Sequence, residues 1–182
     1  MLDAKDGEQI LEIGFGTGRC IVSMARSVGA SGRIYGIDIS RGMLDITSVR
    51  VAKAGLSDRV VLKRDDAAVL PFDSDYFDAV FMSFTLELFD AAQIPSILQE
   101  CKRVLRIGGR ICVVAMCRKE KASIISKLYE WAHRRFSEYV DCRPISARQE
   151  LQNEGFVICE SKQMSVWGLP VETVLAACDK AD

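Results

Sequence analysis

The sequence predicts an α/β fold, a mainly parallel sheet with helices on both faces, and three observations carry that prediction. Short apolar runs alternate with stretches of helical periodicity along most of the chain. The runs are almost continuously apolar, as strands covered on both faces must be. The last two runs are linked only through the neighbourhood of Gly168 and Pro170, too short a connection for a parallel crossover, so they form a reversed pair closing the sheet.

Each element follows from its own residues. Ile10, Leu11 and Ile13 make the first strand. Cys20, Ile21, Met24, Ala25 and Val28 recur at helical spacing, and Gly29 and Gly32 close that helix. RIYGID is a second strand ending at Asp38, after which Ser40 caps a helix from Arg41 to Ala54 that Gly55 stops. RVVLKR is the third strand, and Phe77 to Ser83 the fourth. The following helix carries Ile94, Ile97, Leu98, Cys101, Val104 and Leu105 on one face; Gly108 and Gly109 break it ahead of the fifth strand, RICVVAM. Lys119 to Phe136 reads as a helix striped by Ile124, Ile125, Leu128, Trp131 and Ala132. Beyond the linker VDCRPIS, Ser146 caps a helix ending at Gly155, and FVICESKQM and ETVLAACD are the closing strands. Residues 1–182 are read as one domain.

Composition excludes several classes. A net charge of −1 provides no field to draw nucleic acid, and the group Lys102, Arg103, Arg106 and Arg110 reads as solvated helix surface. The seven cysteines form no C-x-x-C pair and are joined by a single histidine, His133, so no metal site is expected. They read as small apolar side chains in a reducing, cytoplasmic setting. No apolar run approaches the ~18 residues of a membrane span.

The informative stretch is ILEIGFGTGRC, Ile10 to Cys20. A glycine-rich turn between strand and helix usually cradles a ligand with its backbone. The dinucleotide pattern is G-x-G-x-x-G, with a pyrophosphate at the helix N-terminus. Here Gly14, Gly16 and Gly18 are spaced G-x-G-x-G, and the carboxylate of Glu12 precedes them. A negative side chain suits a ligand with a positive group better than a pyrophosphate. Asp38 ends the second strand 20 residues after Gly18, placed to accept hydrogen bonds from ribose hydroxyls.

With these residues the sequence resembles the class I S-adenosylmethionine-dependent methyltransferases, and within them the ubiquinone/menaquinone biosynthesis group. LEIGFGTGR is similar to the cofactor loop, GIDIS to the ribose-binding acid, DAAVLPFDSDYFDAV to the approach to the fourth strand, and ECKRVLRIGGRICVV to the helix, turn and fifth strand. The resemblance implies a Rossmann-like three-layer αβα sandwich whose seven-stranded, mostly parallel sheet has an antiparallel last strand. It implies S-adenosylmethionine as methyl donor and S-adenosylhomocysteine as product. Glu12, Gly14, Phe15, Gly16 and Gly18 would line the methionine end and Asp38 the ribose. Ile39 and Met43 would pack near the adenine, Asp66 and the Ala67 N–H would bind its polar edge, and Ser83 and Phe84 would border the sulfonium.

Ser83-Phe84-Thr85-Leu86-Glu87 lacks the Asn/Asp-Pro-Pro-aromatic motif of the amino-methylating DNA and glutamine enzymes, which speaks against a planar amine in nucleic acid, and the resemblance implies instead a small-molecule acceptor, quinone-like or otherwise hydrophobic. No catalytic base stands out; His133 is the one weak candidate. Family members carry helices ahead of the first strand that cover the cofactor, and here that strand begins about ten residues in, so the lid is expected to be absent or truncated. A cofactor-binding module with no acceptor site of its own and a nicotinamide-dependent oxidoreductase stand as alternatives. A homodimer is admitted as an assembly.

Overall fold

The computed structural model describes residues 2–117, 144–166 and 168–180. The helix expected over Lys119 to Phe136, with His133, lies outside them. The strands are β1 (Gln9–Ile13), β2 (Arg33–Ile37), β3 (Val60–Lys63), β4 (Phe77–Ser83), β5 (Leu105–Met116), β6 (Phe156–Val166) and β7 (Leu169–Cys178). The helices are α1 (Arg19–Ser27), α2 (Arg41–Lys53), α3 (Ile94–Val104) and α4 (Ala147–Asn153), with a short 3-10 turn at Leu86–Leu88. The strands form one seven-stranded sheet in the order β3-β2-β1-β4-β5-β7-β6. Neighbours from β3 to β5 pair in parallel, and β7 runs antiparallel to both β5 and β6. The expected architecture, including the reversed closing pair, is the observed one.

Side-chain alternation divides the core into two layers. Along β1, Ile10 faces the layer with Ile21, Met24 and Ala25 of α1, whereas Leu11 and Ile13 face the layer with Ile97, Leu98 and Cys101 of α3. The helix ends follow their residues. Ser40 accepts the Met43 N–H (3.3 Å) and Ser146 the Gln149 N–H (3.3 Å).

The strand after α3 departs from the reading above. The glycines do not separate helix from strand, because Leu105, next after α3, already pairs with Phe77. The chain then swells out over residues 106–109 before Arg110 pairs with Ala79. Gly109 sits where a Cβ would lie 2.9 Å from the Arg106 carbonyl, so the glycine pair makes this bulge.

Arg110 ties the first residues to the sheet. Its guanidinium donates to the Leu2 carbonyl (2.8 Å), the Asp3 carbonyl (2.9 Å) and both carboxylate oxygens of Glu8 (2.8 Å each). Burial works to raise the Glu8 pKa, but the hydrogen bonds from Arg110 and Lys5 outweigh it and the net shift is downward. Arg110→Ala leaves Glu8 and two carbonyls without their donor. It is expected to lower stability by about 2 kcal/mol in urea titration at neutral pH, with less of the difference remaining as acid protonates Glu8.

Candidate functional site

The sheet order turns at β1, whose neighbours are β2 on one side and β4 on the other. Connections leaving these strands diverge to opposite faces, and a crevice remains above their carboxyl ends. In this chain it is a cavity of about 510 Å³. Nine of the residues singled out in the sequence line it: Gly14, Gly16, Asp38, Ile39, Met43, Asp66, Ala67, Ser83 and Phe84. A concavity of similar volume, about 520 Å³, lies elsewhere among Leu2, Cys20, Phe81 and Cys112, away from the glycine loop.

The loop is shaped by what surrounds it. Gly14 has a left-handed backbone (φ 72°), donates its N–H to the Ile37 carbonyl (2.7 Å), and leaves no room for a Cβ against the Thr85 side chain. Thr85 is seated there, its hydroxyl directed at the Gly14 carbonyl (3.4 Å) and the Ser83 carbonyl (3.1 Å). Gly16 is different: a Cβ would meet nothing within 4 Å, so the loop opens onto free space at this point. Its carbonyl accepts the Thr47 hydroxyl (2.8 Å) and its N–H donates to Asp38 Oδ2 (2.9 Å). Asp38 Oδ1 accepts the Ser40 N–H (2.9 Å). The Asp38 carboxylate is thus fixed by the backbone on either side, with acceptor capacity left over for a ligand.

Three predicted residues stand outside the lining. The Phe15 ring turns into the core, where it is buried with Ile21 and fills the gap left by Gly36. Gly18 begins α1, and the Thr47 side chain of α2 occupies the place a Cβ would need; it is a packing glycine between two helices. Glu12 is 2 % exposed, and its Oε2 has no hydrogen-bond partner. Burial, reinforced by the negative charge of Asp38, pushes its carboxyl up to about 8. A buried carboxyl without a cation is costly in its ionised form. Positive charge brought beside the loop would favour its ionised form, and the negative charge of a pyrophosphate would oppose it.

Thr85, Leu88 and Phe89, behind β4, also line the cavity and carry no sequence signal of their own. Parallel pairing of β1 with β4 brings them beside the glycine loop. On the β3 side, Asp66 Oδ1 accepts the Ala68 N–H (2.9 Å), which shapes the turn presenting Asp66 and Ala67. Among the described residues no cluster of side chains could hold a metal ion, and no helix is long and apolar enough to cross a membrane.

Residues 10–109 match the sequence profile of a methyltransferase domain. A demethylmenaquinone methyltransferase of Symbiobacterium thermophilum is 38% identical over 112 residues, covering 61% of this chain and 44% of that protein. A ubiquinone/menaquinone biosynthesis C-methyltransferase of Vibrio vulnificus is 32% identical over 127 residues, covering 70% of this chain and 48% of that protein. The chain spans less than half the length of these curated relatives. The solved structure of a SAM-dependent methyltransferase from Methanosarcina mazei superposes with a TM-score of 0.80 at 18% identity, covering 97% of this chain and 95% of that one.

Proposed function

Since this chain belongs to the methyltransferase domain family, whose profile covers residues 10–109, we propose that it transfers a methyl group from S-adenosylmethionine to a small, quinol-like acceptor. S-adenosylhomocysteine is the product. The observation that carries the reading is the buried, unpaired carboxyl of Glu12 behind a glycine loop that opens at Gly16. A ligand with a positively charged amino-acid tail satisfies both.

The residues divide the work by position. Glu12 supplies negative charge to the ammonium end. Asp38, immobilised by Gly16 and Ser40, accepts from the ribose hydroxyls. Ile39 and Met43 give the adenine an apolar wall, and Asp66 with the Ala67 N–H meets its polar edge. Ser83 and Phe84 lie toward the acceptor, on the β4 side. When bound, the cofactor supplies an activated methyl on sulfur that an in-line nucleophile can take directly. The protein's part is to hold the two partners in line and keep water away. The electron-rich ring of a quinol is itself the nucleophile, and the proton its ring carbon loses after methyl transfer leaves with solvent; the titratable side chains lining the cavity among the described residues are Asp38, Asp65 and Asp66. Phe84 and Leu88 are apolar yet exposed at the mouth, suited to a greasy acceptor. The names of the relatives point the same way. Seven cysteines with no C-x-x-C pair among them suit work in the cytoplasm.

The test is transfer of radiolabelled methyl from S-adenosylmethionine to a reduced 1,4-naphthoquinone carrying a short isoprenyl chain. Labelled product in the organic phase is expected; tight S-adenosylhomocysteine binding without transfer would instead favour a cofactor-binding module. Asp38→Ala is expected to weaken S-adenosylhomocysteine binding by about 1.5–3 kcal/mol, the worth of hydrogen bonds to a charged acceptor. Calorimetry reads this directly, and an unchanged Kd would remove Asp38 from the ribose.

A further inference from the structure

We propose that Phe84 is the wall that selects the methyl acceptor, held over the cavity in a backbone conformation its residue type disfavours, and that it selects for a flat, apolar ring. The selectivity half rests on the methyl-transfer reading above; the backbone half does not. Phe84 has φ 54°. The other non-glycine residues with positive φ among the described residues are Asp3 and Asp75, a type that tolerates this region, whereas a bulky aromatic is an outlier there. Outliers of this kind persist only where the surroundings impose them.

Here they do. The Phe84 N–H donates to the Val114 carbonyl of β5 (2.7 Å). The next residue, Thr85, is seated on Gly14 of the loop. Two residues further on, Glu87 is buried and its Oε1 accepts the Met116 N–H (3.1 Å) at the end of β5. The turn is therefore fastened to the elements on both flanks, and Leu86, not Phe84, is the residue sunk into the core. Phe84 remains 40% exposed, with the cavity as its surroundings. Had the chain needed only an apolar plug, the relaxed choice at this φ was glycine or asparagine with Leu86 as the plug. An aromatic ring kept at the cavity against its backbone preference is explained by what it touches. With Asp38 taking the ribose on the β2 side, as in the reading above, Phe84 on the β4 side of the same cavity is left toward the methyl and its acceptor. A ring there offers its face or edge to another flat ring.

Three variants test this: Phe84→Gly, Phe84→Ala and Phe84→Tyr. Gly and Ala both remove the ring, but only Gly relaxes the backbone. Phe84→Gly is expected to melt about 2–4 °C above Phe84→Ala, the reverse of their order at an ordinary position. An equal or lower Tm for Gly would overturn the imposed conformation. With the naphthoquinol as acceptor, KM is expected to rise about tenfold or more in both Gly and Ala variants and to stay near the wild-type value in Tyr. S-adenosylhomocysteine Kd is expected to move far less than KM. An unchanged KM, or a Kd that moves as much as KM, would overturn the selecting role. A wild-type protein that binds S-adenosylhomocysteine but leaves the naphthoquinol untouched would overturn the acceptor reading, while the Tm order would still decide the backbone at Phe84.

Discussion

Binding of S-adenosylmethionine is expected to release a proton at neutral pH, and Glu12→Gln is expected to abolish that release. In the free protein the Glu12 carboxyl sits at about 8, raised first by burial and then by the charge of Asp38. At pH 7 it is therefore mostly protonated. A cation beside the loop favours the carboxylate, so binding and deprotonation are linked. Affinity should strengthen as pH rises toward 8, by up to about tenfold per unit, and flatten above it. Titration calorimetry in buffers of different ionisation enthalpy counts the proton. Glu12→Gln should bind about tenfold to a hundredfold more weakly, having lost a charged partner.

The same group sets an opposite trend in the free protein's stability. Its folded pKa lies above the unfolded one, so folding is favoured below the unfolded value. That contribution is lost as pH climbs through the folded value, at about 1.4 kcal/mol per unit at most. Glu12→Gln should flatten this slope and make the free protein more stable above pH 7. A variant that is sturdier and binds worse would mark Glu12 as kept for its ligand. A free-protein stability that does not fall between pH 5 and 8 would contradict the assignment.

Gly14→Ala is expected to have the largest effect on the fold of any single change at the site, about 2–5 kcal/mol in denaturant titration. Two penalties combine. The backbone is left-handed at φ 72°, and the new methyl runs into the Thr85 side chain. Cofactor binding should be lost with it, because Thr85 cannot move without dragging the turn that presents Phe84. A double-mutant cycle separates the terms. Thr85→Ala should return part of the stability of Gly14→Ala and leave the backbone part unrecovered. Strict additivity would show that the two residues do not press on each other.

Why was so much of this legible in the sequence? The loop, Asp38 and the Ser40 cap are local: a strand, a turn and the next strand's end place them through short stretches of chain, and residue spacing records such geometry. Asp66 and Ala67 were reached by the family resemblance and then found in the cavity lining. Thr85, Leu88 and Phe89 had no such record. They reach the glycine loop through the pairing of β1 with β4, a contact made across about 70 residues of chain. Gly18 and Phe15 show the converse. Their neighbours in the motif line the cavity, but the side of the turn on which they fall is the packed side, and spacing alone does not tell the two sides apart. The bulge within β5 was invisible for a similar reason: two adjacent glycines mark a break, and only pairing shows whether the strand has already begun.

The position of β7 has a consequence for how the protein is made. β5 is twelve residues long and richly apolar; among the described residues its outer edge is covered by β7 alone, and β6 pairs with β7 alone. On a ribosome, β1 to β5 can assemble as soon as they emerge. The outer edge of β5 must then wait until residue 178 has been synthesised before the terminal hairpin can dock on it. A premature stop anywhere after β5 and before β7 would release a nearly finished sheet with an adhesive border. Nonsense or frameshift variants in that interval should yield aggregates rather than weak enzymes.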